Sequence, residues 1–231
     1  LTNFFDFLNI SSIKPDFFVF QECWKISKDC FNIPGYNLFH HSRESRNGGG
    51  VGCYVKSEYV CKVIENDRFF VENVFESLVL NVEIPNVRSC IVVSLYRPPG
   101  LENMNTFFES LLYLIEKLDD YKLPVYLFTD SNINLMNLGD SINSNLLFDH
   151  CIGNGYFQLI SKCTRLAGNS KTLIGQIFTS HDISNISKSG VIIDSIPDHF
   201  IISLFISVVS IPLYMFLTLS LSLSLYLFVS I

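Results

Sequence analysis

Short apolar runs, separated by glycine, proline and polar residues, recur along most of the chain. A continuous run of about four to eight apolar residues is typical of a strand covered on both faces, because helices need longer segments. The runs at 77–82 and 90–95 are expected to pair as a hairpin, since Pro85 and Asn86 supply turn residues between them. Strands are predicted at residues 17–20, 53–56, 77–82, 90–95, 125–128, 174–179 and 200–207.

Helical spacing of apolar residues is clearest in the segment that Pro124 ends. A helix is expected there with a capping box at its start, because Thr106 is followed three residues later by Glu109. Its apolar stripe consists of Phe107, Leu111, Leu114, Ile115 and Leu118. Further helices are expected at residues 1–8 and around 146–151. Because predicted strands outnumber helices and hairpins mix with crossovers, the pattern predicts an α/β fold with helices packed outside its sheets.

Composition and charge narrow the class of protein. The chain has 231 residues, of which 48% are hydrophobic and 21 are Phe, so it can bury the core of one domain rather than stay disordered. The net charge of −6 argues against binding to nucleic acid by bulk positive charge, although a bound divalent cation and a local basic rim still allow a nuclease. Seven cysteines without a C-x-x-C pair, and no secretory signal, predict free thiols inside the cell, in the nucleus or cytoplasm.

The end of the chain differs from the rest, because residues 200–231 contain no charged side chain. We expect a domain over residues 1–207 and a separate Leu/Ser-rich tail over 208–231. Three interpretations of the tail remain open. It is a transmembrane helix from about Leu213 to Ile231, which would make the membrane a partner. Alternatively it is strand-like, because Leu and Ser alternate over 219–225, or it is a translated simple repeat.

Polar residues gather next to four of the predicted strands. In layered α/β folds, ligand sites collect at strand ends, where the backbone is fixed and the side chains are free. A single acid in such a place is usually an ordinary loop residue, but four clusters on separate strands are harder to explain in that way. The clusters are Glu22, then Tyr96 and Arg97, then Asp130 and Asn132, and finally Asp198 and His199.

These residue types suit the cleavage of a phosphodiester. The carboxylates of Glu22 and Asp198 are oxygen ligands of the kind that a hard divalent cation prefers. Asp130 can serve as a base or as an orienting group for the attacking water. The four clusters also offer hydrogen-bond donors for phosphoryl oxygens, namely Asn132, Tyr96 and His199.

Seven motifs, in order and with agreeing spacing over residues 1–207, resemble a known family. They are P-D-F-F-V-F-Q-E-C-W at 15–24, G-G-G-V-G-C-Y-V at 48–55, L-Y-R-P-P at 95–99, T-D-S-N-I-N-L at 129–135, C-T-R at 163–165, T-L-I-G-Q-I-F-T at 172–179 and D-H-F at 198–200. The chain resembles the endonuclease/exonuclease/phosphatase superfamily, most closely the endonuclease domain of non-LTR retrotransposons.

The resemblance implies a four-layer sandwich of two mostly antiparallel sheets flanked by helices. It also implies Mg²⁺ or Mn²⁺ as the only cofactor and DNA as the partner. Glu22 and Asp198 would bind the metal, and Asp130, with Asn132 beside it, would orient or deprotonate the water. Tyr96 would contact the scissile phosphate and His199 would stabilise its oxygens. The residues implied to contact DNA are Arg97, Thr164 and Arg165.

The chain also departs from this family. The family pattern begins with a strand that carries an asparagine of the metal site, and we expect this first strand to be lacking. Gly175 stands where the family has the aspartate that pairs with the histidine, so the tautomer and charge of His199 lose their support. We therefore expect weakened or absent DNA nicking. The alternatives are a non-catalytic binding or membrane-tethered module on the same fold, and a phosphatase acting on small phosphoesters.

Overall fold

Two β-sheets face each other and enclose the core of the protein. The structure is a computed structural model that describes residues 14–24, 32–45, 47–100, 102–183, 185, 187–192, 199–208 and 211–218, with residues 207, 208 and 211–218 described by their backbone alone. In chain order the strands are β1 Phe17–Gln21, β2 Tyr36–His41, β3 Val51–Lys56, β4 Val60–Val63, β5 Phe70–Val71, β6 Phe75–Glu83, β7 Cys90–Tyr96, β8 Val125–Asp130, β9 Phe157–Gln158, β10 Arg165–Ala167, β11 Ser170–Thr172, β12 Gly175–Thr179, β13 Ser187–Ile192, β14 Ile201–Val208 and β15 Ile211–Thr218.

The sheets are mostly antiparallel. One has six strands in the order β13-β14-β15-β1-β3-β2, and only its β1–β15 pair is parallel. The other has seven strands, in the order β4-β6-β7-β8-β12-β9 with β5 also on β6, and only its β7–β8 pair is parallel. The remaining strands, β10 and β11, form a short hairpin. The predicted α/β sandwich of two mostly antiparallel sheets is therefore confirmed.

Two α-helices are found among the described residues, α1 at Met104–Asp119 and α2 at Ile142–Gly153. The α1 helix connects the parallel strands β7 and β8, as a parallel pair requires, and it packs against β6. The predicted capping box is wrong, because α1 begins before it, after Asn103 in a left-handed conformation. Ser141, by contrast, caps α2 by accepting a hydrogen bond from the backbone N–H of Ser144. The helix expected at residues 1–8 lies outside the described residues.

Aromatic side chains make up much of the buried interior of the protein. Each fully buried Phe or Leu stabilises the fold by about 1.5–3 kcal/mol relative to an exposed one. The largest fully buried aromatic side chains are Phe17, Tyr54, Phe75, Phe107, Phe128 and Phe178. All five side chains of β1 are buried, as expected for a strand that is covered on both faces.

The described part of the tail is a strand within the domain. Ile211–Thr218 forms β15, which lies between β1 and β14 and pairs with both. Pairing on both edges satisfies the backbone of an uncharged segment. The boundary expected between residues 207 and 208 therefore does not separate this strand from the domain. Among the described residues, no helix is long and apolar enough to cross a bilayer. Residues 219–231 lie outside the described part.

Candidate active site

The ends of strands β1, β7 and β8 meet at one edge of the sandwich. Tyr96 and Asp130 are direct neighbours there, because they are paired in the parallel β7–β8 ladder. Tyr96 also reaches the opposite sheet, where its hydroxyl donates a 2.7 Å hydrogen bond to Glu22 Oε1. The structure therefore brings together three of the side chains that the sequence singles out at strand ends.

A buried glutamine fixes the spacing of the two sheets directly beneath this edge. Gln21 Nε2 lies 3.3 Å from Ser94 Oγ of β7 and 3.4 Å from the carbonyl oxygen of Phe128 in β8. Ser94 in turn donates to the carbonyl of Phe20 at 3.1 Å. Because such buried polar groups are costly when unpaired, this bridge holds the Glu22 end of β1 against the other sheet. Sequence reasoning missed it, although a glutamine at the end of an apolar run is a signal of this kind.

Glu22 occupies a turn with unusual backbone geometry. Its φ is 53° and that of Trp24 is 54°, both in the left-handed region that residues other than glycine seldom adopt. Such conformations persist where the surroundings hold them, and they cluster at functional sites. Here the backbone N–H of Trp24 donates to the carbonyl of Gly49 at 2.8 Å.

Asp130 is fully buried, with 0% of its surface exposed. The backbone N–H of Asn132 donates to its Oδ1 at 3.3 Å, and no described group donates to its Oδ2. Burial, followed by the nearby charge of Glu22, raises the pKa of Asp130 from 3.8 to about 7. The carboxyl can therefore exchange a proton near neutral pH, as a general base must.

Tyr96 is a persistent hydrogen-bond donor. Burial, the charge of Glu22 and the hydrogen bond to that carboxylate all raise the pKa of Tyr96 far above its ordinary value of 10. The phenol thus keeps its proton and can donate a hydrogen bond to an anionic oxygen.

Arg97 was expected to contact DNA, and the structure corrects this assignment. Its side chain is buried, and its guanidinium donates to the carbonyl oxygens of Ser131 at 2.6 Å, Gly100 at 2.8 Å and Asn132 at 3.1 Å. Asn132 Nδ2 donates back to the carbonyl of Arg97 at 2.9 Å. These bonds hold the turn after Asp130, in which Asn132 has a φ of 50°. Arg97 and the Asn132 amide therefore support the site from inside.

Thr164 was also expected to contact DNA, and burial again contradicts this. It is fully buried, and its Oγ1 accepts the backbone N–H groups of Ile174 at 3.2 Å and Gly175 at 3.0 Å. The residue joins the β10 end of the short hairpin to β12, next to Asp130. Its neighbour Arg165 is only partly buried, so its assignment as a DNA contact stays a prediction.

Arg165 and His199 are joined both by their backbones and by their side chains. They form an antiparallel bridge, and Arg165 Nε donates to His199 Nε2 at 3.0 Å. A guanidinium N–H can only donate, so Nε2 accepts, and the imidazole is neutral with its proton on Nδ1. The charge of Arg165 also acts on Asp130 and lowers its pKa, in opposition to burial. Arg165 is therefore close enough to Asp130 for its charge to act on it, and His199 is bonded to Arg165.

Gly175 is paired directly with Asp130 across the β8–β12 ladder. Directly opposed residues of an antiparallel pair present their side chains to the same face, so an acid at this position would lie beside Asp130. The departure noted from the sequence therefore falls within the site itself. Asp198, the second expected metal ligand, lies outside the described residues.

The described side chains suit a hard divalent cation. The charge of Glu22 raises the pKa of Asp130, and Asp130 Oδ2 is a buried oxygen to which no described group donates. Oxygen donors of this kind match Mg²⁺ or Mn²⁺, which often bind through one or two carboxylates together with water and substrate phosphate. The described residues contain no group of three His, Cys, Asp or Glu side chains arranged to hold a metal.

Comparison with solved structures identifies similar folds at low sequence identity. The structure is similar to the endonuclease domain of TRAS1, a telomere-specific non-LTR retrotransposon, with a TM-score of 0.65 and 14% identity over 91% of this chain and 93% of that one. It is also similar to the catalytic domain of Xenopus laevis APE2, with a TM-score of 0.63 and 14% identity over 90% of this chain and 87% of that one. An endonuclease/exonuclease/phosphatase family protein from Bacteroides thetaiotaomicron has a TM-score of 0.59 and 16% identity over 84% of this chain and 81% of that one.

No protein-family model matches the chain, and neither does any curated protein sequence. The likeness to the solved structures therefore concerns the fold.

Proposed function

We propose that this chain, which has the endonuclease/exonuclease/phosphatase fold, is a divalent-metal-dependent phosphodiesterase that acts on DNA as a weakened nicking endonuclease. One observation carries the proposal. Glu22, Tyr96 and Asp130 come from three strands and two sheets, and they meet as two carboxylates with a phenol bonded to one of them. Ordinary packing seldom gathers two carboxylates in this way, because burying the second raises the cost of ionising the first.

Each side chain has a role in this proposal. Mg²⁺ or Mn²⁺, held by Glu22 with Asp198, would neutralise phosphate charge when bound. Asp130, whose pKa is about 7, accepts the proton of the attacking water through Oδ2. Tyr96 donates a hydrogen bond to a phosphoryl oxygen when the substrate displaces or shares its bond to Glu22. Asn132 holds the turn that aims Asp130.

Two features support the weakening. Gly175 leaves the strand opposite Asp130 without the acid that the resemblance implies. His199 Nε2 is occupied by Arg165, so this nitrogen does not donate to a phosphoryl oxygen as a neutral ring. In compensation, the Arg165 guanidinium can itself face a phosphate, and we propose it as the basic contact to the DNA backbone.

A plasmid assay tests the proposal. Purified protein is incubated with supercoiled plasmid in Mg²⁺ or Mn²⁺ and compared with Asp130→Ala and with Asp140→Ala, a matched loss of an exposed acid outside the site. Slow nicking that disappears in Asp130→Ala, persists in Asp140→Ala and requires the metal is the expected result. Rapid nicking that depends on Asp130 would refute the weakening, and metal-independent nicking would refute the mechanism.

A non-catalytic binding module on the same fold is the second candidate, and the Arg165–His199 bond favours it. Metal-dependent DNA binding without any cleavage, even at high protein concentration, would select it. A phosphatase for small phosphoesters is a third candidate, which release of phosphate from small substrates in the same buffer would detect.

The retrotransposon origin is part of the proposal, and genomic sequence encoding a reverse transcriptase beside this chain would support it. An intracellular location is also proposed, in keeping with the free thiols of the six described cysteines.

A further inference from the structure

We propose that Glu76 and Arg43 form a buried ion pair that positions the Glu22 carboxylate through the glycine loop at residues 48–50. The pair is called the clamp below. Its value to the protein rests on the function proposed above for Glu22. Both are positioning residues rather than catalytic ones, because they act on Glu22 through the glycine loop and through Tyr96.

The clamp is almost sealed from water. Arg43 Nε and Nη2 both lie 2.6 Å from Glu76 Oε1, and the two side chains are 5% and 0% exposed. Glu76 Oε1 also accepts the backbone N–H of Asn73 at 2.9 Å. Its second oxygen accepts the backbone N–H of Gly50 at 2.6 Å. Removing one partner of such a pair leaves an uncompensated buried charge, so its geometry is strongly held.

The loop carries this geometry to the turn of Glu22. The carbonyl of Gly49 accepts the backbone N–H of Trp24 at 2.8 Å, and the carbonyl of Gly50 accepts that of Cys23 at 3.4 Å. These two acceptors bind Cys23, which lies between the two left-handed residues, and Trp24, which is one of them. The clamp therefore fixes the loop, and the loop helps to hold Glu22 and Trp24 in a backbone conformation that is costly on its own.

Steric fit makes the loop a tight spacer. A Cβ added to Gly49 would lie 2.2 Å from Arg43 Cζ, and a Cβ added to Gly50 would lie 2.7 Å from Cys23 Sγ. Both glycines also have positive φ, 65° and 81°. The loop is thus packed between the guanidinium on one side and the Glu22 turn on the other, so a shift of Arg43 is transmitted rather than absorbed.

A second route from Glu76 reaches the same carboxylate. Glu76 is the direct partner of Tyr96 in the antiparallel β6–β7 ladder. The hydroxyl of Tyr96 in turn donates a hydrogen bond to Glu22 Oε1. Glu76 therefore supports Glu22 in two ways, through the glycine loop beside the Glu22 turn and through the Tyr96 phenol on the opposite sheet.

The single tryptophan of the chain provides a direct readout. Trp24 lies two residues after Glu22, in the turn that the loop binds, so its fluorescence reports the turn without any need for activity. We compare metal-free wild-type protein with Glu76→Gln, which keeps the shape and one acceptor oxygen of the side chain but removes the charge and replaces the other oxygen by an amide nitrogen that only donates. In Glu76→Gln we expect a shifted Trp24 emission and stronger quenching by acrylamide. We also expect the affinity for Mn²⁺ to fall by about 10- to 100-fold, as for other residues that orient metal ligands.

The ion pair of Asp16 with Lys56 supplies a matched control. It lies at the opposite end of β1, is 2.6 Å long and also involves a nearly buried carboxylate. Asp16→Asn, like Glu76→Gln, should lower the melting temperature. Unlike Glu76→Gln, it should leave Trp24 emission, acrylamide quenching and Mn²⁺ affinity unchanged. If Glu76→Gln does not fold, the Arg43→Met/Glu76→Gln double variant, which removes both buried charges, replaces it with the same expected Trp24 change.

The inference is overturned if a folded clamp variant shows the Trp24 emission and quenching of wild type, as Asp16→Asn should. It is also overturned if Asp16→Asn changes Trp24 as much as the clamp variant does, since the effect would then follow stability alone. A wild-type protein that binds no Mn²⁺ and nicks no DNA would reject the proposed function, while the metal-free Trp24 comparison would still decide whether the clamp positions the turn.

Discussion

Replacing Asp130 by asparagine should change how the stability of the protein depends on pH. In the folded protein the pKa of Asp130 is raised to about 7, whereas 3.8 is its ordinary value and the one expected in the unfolded chain. Between these two values the folded state holds a proton that the unfolded state has released. Stability is therefore lost as pH rises through this window, and the loss is complete above pH 7 or so.

The size of the effect follows from the two pKa values. Each unit of difference corresponds to about 1.4 kcal/mol, so ionised Asp130 costs the folded state about 4 kcal/mol. Full burial of the carboxyl justifies the use of this figure without discount for solvent screening. Asp130→Asn has no such titration. The difference in unfolding free energy between variant and wild type should thus move in favour of the variant by up to about 4 kcal/mol from pH 4 to pH 8.

Urea unfolding of both proteins across this pH range measures the difference. Comparing the two removes the contribution of every other titrating group, provided that the sites are independent. Excess Mg²⁺ should reduce the pH dependence of wild type, because a bound cation favours the ionised carboxylate. A difference between the two proteins that stays constant from pH 4 to pH 8 would refute the assignment of Asp130 as a buried carboxyl that protonates near neutrality.

Two further substitutions probe the same site. Tyr96→Phe keeps the ring but removes the bond to Glu22, so unfolding free energy should fall by about 1–2 kcal/mol and any nicking rate by about 10²-fold. Urea unfolding and plasmid nicking measure these, and an unchanged nicking rate would exclude Tyr96 from the reaction. Gly175→Asp places a carboxylate beside Asp130, so it should lower the melting temperature without Mg²⁺, recover with Mg²⁺ and raise residual nicking. Equal melting temperatures with and without Mg²⁺ would contradict this.

The strands that the sequence predicted are those whose side chains are buried on both faces. The runs at 17–20, 90–95 and 125–128 are apolar or aromatic apart from Ser94, and each lies in a central strand of its sheet. By contrast, β2 and β13 contain half-exposed polar residues without a clear alternation, and they lie at the edges of their sheet. Their pairing depends on neighbours that are distant in the sequence, so local pattern alone does not predict it.

The site was predictable in outline because strand ends carry its polar residues. Glu22, Tyr96 and Asp130 were singled out for this reason, and the structure brings these three side chains together. The residues that support these three side chains from behind were not predicted from the sequence. Arg43 is buried against Glu76, an acid inside the run F-E-S-L-V-L, and no local pattern in the sequence marks this pair. Arg97 is likewise buried, and its guanidinium donates to backbone carbonyl oxygens. Contacts to the backbone do not depend on side-chain identity, so the sequence does not reveal them.

The place of β15 in the six-stranded sheet has a consequence for how the chain reaches its fold. Phe17 of β1 pairs with Met215 of β15, so one edge of β1 remains open until almost all of the described chain has left the ribosome. At about 5–20 residues per second, synthesis takes roughly 10–40 seconds to pass from one strand to the other. During that time the largely apolar strand β1 exposes backbone hydrogen-bonding groups that can pair with other chains. Contacts this distant are also slow to form once the chain is complete. The molecule is therefore expected to need help against aggregation while it is made, even though its finished sheet leaves β1 no free edge.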